Sequence, residues 1–401
     1  MQKNITDVEG IRVRGCHIGI KSKRRDLAII VSDVPASAAA VYTQNRVKAH
    51  PILLTQEHLS DGKAQAILVV SGNADACNGP EGMEGAKKAA ETLAEELDIA
   101  VDDVIVAATG VIGEPFPTDK VVAGIRENVE ALSRKKVAGD MVANAIMTTD
   151  TFQKEAYRSF TLGETEVHMA GIAKGSGMIH PDMATMLAFV VSDVDITPAL
   201  LQDALSESVK RTFNMISVDG DTSTNDMVAV VSNGLARNKR ISQKDEDYQK
   251  FQHTLEDLCE HLAKTIVSDG EGATKLIEYK VVNARAEEDA RQVARTMSTS
   301  NLVKTALFGE DPNWGRILAA VGRSGVEVEP ARTDVYLGSD EVVKVAENGN
   351  VTDFNRKNLK RLLEEPHLNV VVDLNQGESE ATAWGCDFSY EYVRINAEYH
   401  T

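Results

Sequence analysis

Thr185 follows Ala184 and opens the apolar run TMLAFVV. A threonine freed at a new chain start carries a hydroxyl nucleophile and an α-amine that serves as its own general base. That amine has an unperturbed pKa of about 7.7–8, so a useful fraction is neutral near pH 7. An internal threonine has to borrow a base such as histidine. Read alone, an Ala-Thr step before apolar residues is usually just a strand start, and other segments must decide between the two.

Several of them carry suitable chemistry. Thr109-Gly110 ends the apolar run VIVAA; a glycine there lets backbone approach a ligand, and N–H groups beside a hydroxyl suit an oxyanion hole. An ordinary strand-to-loop turn is the plain alternative. Lys174 precedes Gly175-Ser176-Gly177, a small candidate anion loop without the order of a P-loop. It stands close enough in sequence to Thr185 for both to line one pocket. Glu271, between glycines in SDGEGATK, suits a substrate ammonium or a cap for the next element. The run from Asn214 to Asp226 is dense in small polar groups but lacks the spacing of a calcium loop. It reads as a structured loop near the site, not as a metal site. His180 before Pro181 is expected to shape the turn ahead of Ala184. Asn396 and Thr401 lie in an aromatic ending that reads as docked, although chain ends commonly fray.

The 401 residues suffice for two or three domains or one large composite unit. The formal net charge of −18 argues against nucleic acid, whose phosphates need a basic face, and against anionic membranes. A local cationic pocket for a small anion remains compatible with it. Cys16, Cys77, Cys259 and Cys386 are widely spaced, so neither a disulfide framework nor a zinc site is expected. The first residues, MQKNITDVEG, lack the pattern of a signal or transit peptide. No apolar run approaches the roughly 20 residues of a membrane span. A cytoplasmic protein is expected.

The elements that must position these groups alternate along the chain. Apolar, β-branched runs predict strands at 27–31, 66–71, 104–108, 167–172, 186–191, 227–232, 276–282 and 370–374. Helical composition and spacing predict helices at 82–97, 119–136, 200–212, 245–267 and 284–305. Strands and helices mixed throughout predict an α/β (α+β) layered fold.

Nine segments together resemble the glutamate N-acetyltransferases, also called ornithine acetyltransferases, of arginine biosynthesis. They are SGNADACNG (71–79), AATGVIGEPFP (107–117), AIMTTDT (145–151), KGSGMIHPDMATMLAF (174–189), SVDGDTSTND (217–226), SDGEGATK (268–275), DPNWGRI (311–317), ATAWGCD (381–387) and INAEYHT (395–401). The resemblance implies a layered sandwich related in logic to N-terminal-nucleophile enzymes but distinct in topology. It implies a precursor cut between Ala184 and Thr185 into an α chain, 1–184, and a β chain, 185–401, which build one catalytic unit and assemble as α2β2. Thr185 is then the nucleophile and Thr109 and Gly110 the oxyanion pair. Thr148, Lys174, Thr185, Glu271, Asn396 and Thr401 match substrate-contact positions, with Thr149 the neighbour that a one-residue slip along a strand would substitute for Thr148. The implied reaction is acetyl transfer from N2-acetyl-L-ornithine to L-glutamate without metal or bound cofactor, with acetyl-CoA as a further possible donor. Hydrolysis by a self-cleaved aminopeptidase and non-enzymatic amino-acid binding are the rival readings. Asp75 departs from the smaller or amide residue expected in its motif.

Overall fold

The computed structural model describes residues 3–180 and 186–398. Two sheets organise them. In the first, seven strands follow the order 104–111, 63–73, 27–42, 227–232, 187–192, 165–174 and 154–162, and an eighth, 11–16, pairs with 27–42. In the second, the order is 350–351, 342–347, 334–338, 367–373, 276–284, 379–386 and 216–217.

The strand Leu27–Tyr42 joins the two halves of the first sheet. Its opening residues pair with Ile11–Cys16 on one side and Ala66–Val70 on the other, while Ser37–Tyr42 pair with Met227–Ser232. The register shifts between Val31 and Ala36, and Pro35 sits in that interval. A proline cannot donate to a ladder, so an irregularity is where a long strand tolerates one. Leu27, Ile29 and Val31 face the helices His50–His58, Pro80–Leu97 and Thr118–Asn128. Ala28 and Ile30 share the opposite core with the helix Lys136–Ala145. Burial on both faces explains why this strand reads as an uninterrupted apolar run.

Elsewhere a helical layer separates the sheets. The helix Glu246–Ser268 touches both the strand Lys154–Leu162 and the strand Ser379–Cys386. Its N-cap, Asp245, accepts a hydrogen bond from the Tyr248 N–H. Tyr248, Phe251, Leu255, Leu258, Leu262 and Ile266 are buried at the spacing of a single helical face. With Pro198–Arg211, this helix closes a core that reaches from Val190 and Val230 of the first sheet to Tyr279 and Val372 of the second. The result is a layered α/β sandwich. No helix among the described residues is long and apolar enough to cross a membrane.

Two expected helices are shorter than their composition implies. The one over 119–136 stops at Asn128, and the chain then leaves the helix because Ser133 exchanges backbone hydrogen bonds with Val13. The one over 284–305 is two helices, Glu287–Ser298 and Asn301–Phe308. At their junction the Ser298 and Thr299 hydroxyls both donate to the Arg295 carbonyl, the local competition that ends helices. All four cysteines are unpaired, and Cys16, Cys259 and Cys386 are buried.

Asp75, the departure noted in its motif, is fully buried in left-handed backbone (φ 50°). Asn78 donates to its Oδ1 at 2.8 Å, while Oδ2 has no partner among the described residues. Burial pushes its carboxyl up to about 6, against the Asn78 hydrogen bond and the charge of His50. The folded pKa lies above the unfolded one, so this group's contribution is fully present below about pH 4 and is lost as pH rises through about 6. At pH 8 the ionised group costs on the order of 2–3 kcal/mol. Asp75→Asn, an amide that tolerates this backbone, is expected to raise the melting temperature at pH 8 by a few degrees. At pH 5 the gain shrinks. A variant that melts lower than wild type at pH 8 contradicts this assignment.

Candidate active site

Three adjacent strands of the first sheet meet in register where the sequence places its chemistry. Lys174, the last residue of its strand, pairs with Leu187, and Leu187 pairs with Met227. The Met227 N–H also donates to the Met186 carbonyl at 3.0 Å. The chain on either side of 181–185 is thereby anchored at both ends. Ala184 and Thr185 themselves lie outside the described residues, as does Thr401.

A cavity of about 320 Å³ opens at this edge, lined by Thr109, Gly110, Thr148, Lys174, Glu271 and Asn396 among others. These are all the candidate site residues that are described, and they converge from five separate stretches of chain. Met186 and Leu187 line it too.

Lys174 is 8% exposed, not a solvated surface lysine. Its Nζ donates to Thr109 Oγ1 at 3.2 Å. Burial lowers its pKa, against the neighbouring carboxylate of Asp150. The Gly175 N–H donates to Asp150 Oδ1 at 2.7 Å, so this part of the expected anion loop binds an anion supplied by the chain itself. Asp150 also accepts from the Thr148 N–H at 2.9 Å. Burial alone would raise the Asp150 carboxyl; the charges of Lys174 and Lys154, helped by the Gly175 N–H, hold it at about 2.

Behind the cavity, Lys154 Nζ lies 2.6 Å from both Asp150 Oδ1 and Asp269 Oδ2 in an almost fully buried triad. Thr151 N–H and hydroxyl add donors to Asp269, the Ser176 hydroxyl donates to the Asp269 carbonyl at 2.6 Å, and the Glu271 N–H donates to the Ser176 carbonyl at 3.0 Å. The segments carrying Thr148, Lys174 and Glu271 are thus bolted together by one ionic network. Lys154→Met leaves two buried carboxylates facing each other without their cation. It is expected to destabilise the fold by about 3–5 kcal/mol, read as a lower urea midpoint. Unchanged stability contradicts the network's role.

The strand carrying Thr109 and Gly110 does not stop before them, as expected from composition, but runs through to Val111. Its ladder is irregular there: Asn73 pairs with both Thr109 and Val111, and Gly110 lies opposite Gly72. Gly110 has φ +137°, and an added Cβ would stand 2.3 Å from the Gly72 carbonyl carbon. Only glycine fits that close approach. Asn225 Nδ2 donates to the Ala74 and Ala108 carbonyls at 2.6 and 2.9 Å, fixing this edge from the side.

Glu271 accepts from Asn396 Nδ2 at 2.8 Å. It caps no helix, since the next element is the strand Leu276–Ala284. The C-terminal helix Tyr390–Glu398 buries no residue fully; it packs through ring contacts, Tyr390 on Phe308 and Tyr392 on Phe388, and close to backbone, since an added Cβ at Gly272 would meet the Tyr392 nitrogen at 2.5 Å. With the Asn396–Glu271 hydrogen bond, these contacts hold the described part of the ending at the site. Thr148 and Thr149 both line the cavity and lie in a bend, so a strand slip does not apply to them. His180 Nδ1 is 3.2 Å from Ser217 Oγ, its Nε2 is 3.3 Å from the Arg295 guanidinium and its carbonyl accepts from Thr222 Oγ1 at 2.9 Å; the turn it is expected to shape lies outside the described residues. The polar run beginning at Asn214 supplies Asp219, Asp221 and Asp226 to the cavity wall.

Sequence reasoning missed Asp150, Lys154 and Asp226 as individuals. Asp150 and Lys154 carried one usable signal, opposite charges four residues apart in an otherwise small, polar stretch. Asp226 carried another, as the last charged residue before an apolar strand.

A hydroxyl, a buried lysine, a glycine-shaped strand edge and an acidic wall around one small cavity make this sandwich an enzyme for small molecules. The chain belongs to the ArgJ family, whose model matches residues 12–401. It is 50% identical over 394 residues to the arginine biosynthesis bifunctional protein ArgJ of Caldanaerobacter subterraneus subsp. tengcongensis, covering 98% of this chain and 97% of that protein. Among solved structures, that of the arginine biosynthesis bifunctional protein ArgJ from Bacillus halodurans is 45% identical with a TM-score of 0.52, and covers 54% of this chain and 100% of its own. The ornithine acetyltransferase of Mycobacterium tuberculosis, solved in complex with ornithine, is 36% identical with a TM-score of 0.41, covering 45% of this chain and 96% of that one.

Proposed function

We propose that this ArgJ-family acyltransferase of arginine biosynthesis moves an acetyl group from N2-acetyl-L-ornithine to L-glutamate by way of Thr185, after the chain is cut between Ala184 and Thr185. The observation that carries the reading is the convergence of Thr109, Gly110, Thr148, Lys174, Glu271 and Asn396 on one cavity whose wall continues into Met186, the residue after Thr185.

In the first half-reaction the Thr185 hydroxyl attacks the acetyl carbonyl and the Thr185 amine takes its proton. The oxyanion is stabilised at Thr109 and Gly110. As the C–N bond breaks, the amine returns the proton to the departing ornithine nitrogen, leaving an acetyl ester on Thr185. Glutamate then enters, and its neutral α-amine attacks the ester to give N-acetylglutamate and restore the threonine. One cavity serves both because donor and acceptor share an α-amino acid end. Lys174 holds that end's carboxylate, and Glu271 with Asn396 meets the ornithine ammonium at the far end.

The solved Bacillus halodurans chain is matched along 100% of its length by 54% of this one, the share that residues 185–401 make up. That share supports division into chains 1–184 and 185–401, and an α2β2 assembly of them belongs to the same proposal. The word bifunctional in the relatives' names supports acetyl-CoA as a second donor. The test supplies acetylornithine with and without glutamate. Glutamate-dependent release of ornithine supports transfer, whereas ornithine and acetate released at the same rate without glutamate reveal a hydrolase.

A further inference from the structure

The loop 17–26 joins the strands Ile11–Cys16 and Leu27–Tyr42 and reads HIGIKSKRRD, with Lys21, Lys23, Arg24 and Arg25 against one carboxylate. In a chain of net charge −18 this is a local reversal of sign. The carboxylate is committed to the loop's own shape. Asp26, fully buried, accepts from the N–H groups of Ile18, Ile20 and Lys21 at 2.6, 2.8 and 2.9 Å, and His17 Nδ1 lies 3.2 Å from it. Lys120, on the helix Thr118–Asn128, donates to the Gly19 carbonyl at 2.8 Å and brings a further cation to the loop. Among the described residues none of Lys21, Lys23, Arg24, Arg25 and Lys120 is ion-paired with a carboxylate, whereas Arg12, Arg126 and Arg134 are.

Two sets of contacts put this loop at the rim of the cavity. Arg24 Nη1 donates to the Thr148 and Asp150 carbonyls, both at 3.1 Å, and Thr148 lines the cavity. Lys21 Nζ donates to the Met147 and Arg25 carbonyls at 2.5 and 2.7 Å, and its Cγ stands 3.0 Å from where a Cβ on Gly72 would be, with Gly72 opposite Gly110. Lys21 thus anchors the loop, while Lys23, Arg24 and Lys120 are exposed. Lys23 Nζ and the Nε and Nη2 of Arg24 have no partner among the described residues. A second cationic stretch, Arg46 and Lys48, also flanks the cavity, through the Asn45 donation to the Thr222 carbonyl at 3.0 Å. It arrives beside Asp221, where the wall is acidic.

A cavity of about 320 Å³ suits an acetylated amino acid and cannot also enclose a nucleotide. An acetyl-CoA molecule whose acetyl end enters it must lay its nucleotide on the rim. The phosphates there are anionic, and an acidic protein repels them except where unpaired cations gather. Resting on the reading of acetyl-CoA as a second donor, we propose that the loop 17–26 with Lys120 binds the phosphate groups of that donor's nucleotide. Lys23, Arg24, Arg25 and Lys120 supply charge-assisted donors, and the cavity takes the thioester end. Acetylornithine has no phosphate and leaves the loop empty. The loop therefore acts on one donor and the cavity on both.

Lys23→Glu combined with Lys120→Glu reverses two exposed charges and leaves the cavity lining intact. At low ionic strength the KM for acetyl-CoA is expected to rise about 10-fold, an effect that shrinks as salt is added. Transfer from acetylornithine to glutamate is expected to stay within about twofold of wild type. Lys23→Glu alone, at a side chain that bonds nothing among the described residues, is expected to give about a threefold rise. S-acetylpantetheine, the same thioester without the nucleotide, should show a higher KM than acetyl-CoA with wild type and the same KM with the double variant. Arg46→Glu combined with Lys48→Glu, at the other cationic stretch, should leave the acetyl-CoA KM within about twofold. A folded double variant with the wild-type KM for acetyl-CoA overturns the proposal, and so does an equal rise in the Arg46 and Lys48 variant. If wild type forms no N-acetylglutamate from acetyl-CoA, the second donor itself is refuted and the loop has no such ligand, a failure distinguishable from the other two.

Discussion

Thr185→Ala is expected to yield one uncut chain that transfers no acetyl group. Both events ask the same oxygen to attack a carbonyl, first that of Ala184 and then that of the acetyl donor. Alanine has no such oxygen, and no second nucleophile lines the cavity in a position the proposal assigns. Loss of a nucleophile from a concerted set commonly costs about 10⁶ in rate, so turnover should drop to the assay floor. The fold should survive, because the sheet edge is fixed by Lys174–Leu187–Met227 pairing and not by the threonine side chain. The variant should therefore melt cooperatively near the wild-type temperature while running as a single band on a denaturing gel. A single band with wild-type transferase activity would contradict the mechanism.

Gly110→Ala should produce the next largest loss. The new Cβ would collide with main-chain atoms of Gly72 and Asn73, 2.3 and 2.6 Å away, and neither can rotate aside. The backbone at φ +137° also excludes an L side chain on its own account. The edge must move, and the Thr109–Gly110 pair moves with it. An oxyanion donor displaced from its target typically costs about 10²–10³ in kcat. KM should change less than kcat: the Lys174 ammonium loses its contact with Thr109 Oγ1, but the backbone at Gly175 and Glu271 stays held by the Asp150–Lys154–Asp269 network. Steady-state kinetics at saturating donor will show the split. A large rise in KM with kcat unchanged would mean that this edge binds substrate and does not stabilise the transition state.

The sequence made the layered class and the main buried strands legible because apolar runs such as 104–108 and 227–232 are packed on both faces. It did not reveal the strand Lys154–Leu162, whose KEAYRSFTL mixes exposed and half-buried residues. Nor did it reveal the helix breaks near Asn128 and Thr299, which depend on a bridge to Val13 and on hydroxyls competing for backbone. At the site, the candidate residues were legible as separate motifs with plain alternatives. Their joint resemblance to one family singled them out, and a common cavity now joins those that are described. What stayed hidden were the groups that act through others. Asp150 and Lys154 gain meaning only when strands distant in sequence are set side by side, since a carboxylate's role depends on which cation it faces.

The measurement that bears most directly on the central claim is the mass of the acyl-enzyme. The purified protein is mixed with N2-acetyl-L-ornithine in the absence of glutamate, quenched in acid and examined by intact-mass and peptide-mass analysis. The account predicts a chain that begins at Thr185, bears one acetyl group on that residue, and loses it when glutamate is added before the quench. A protein that transfers acetyl to glutamate while Thr185 stays internal, or while the acetyl group resides on another residue, would contradict it.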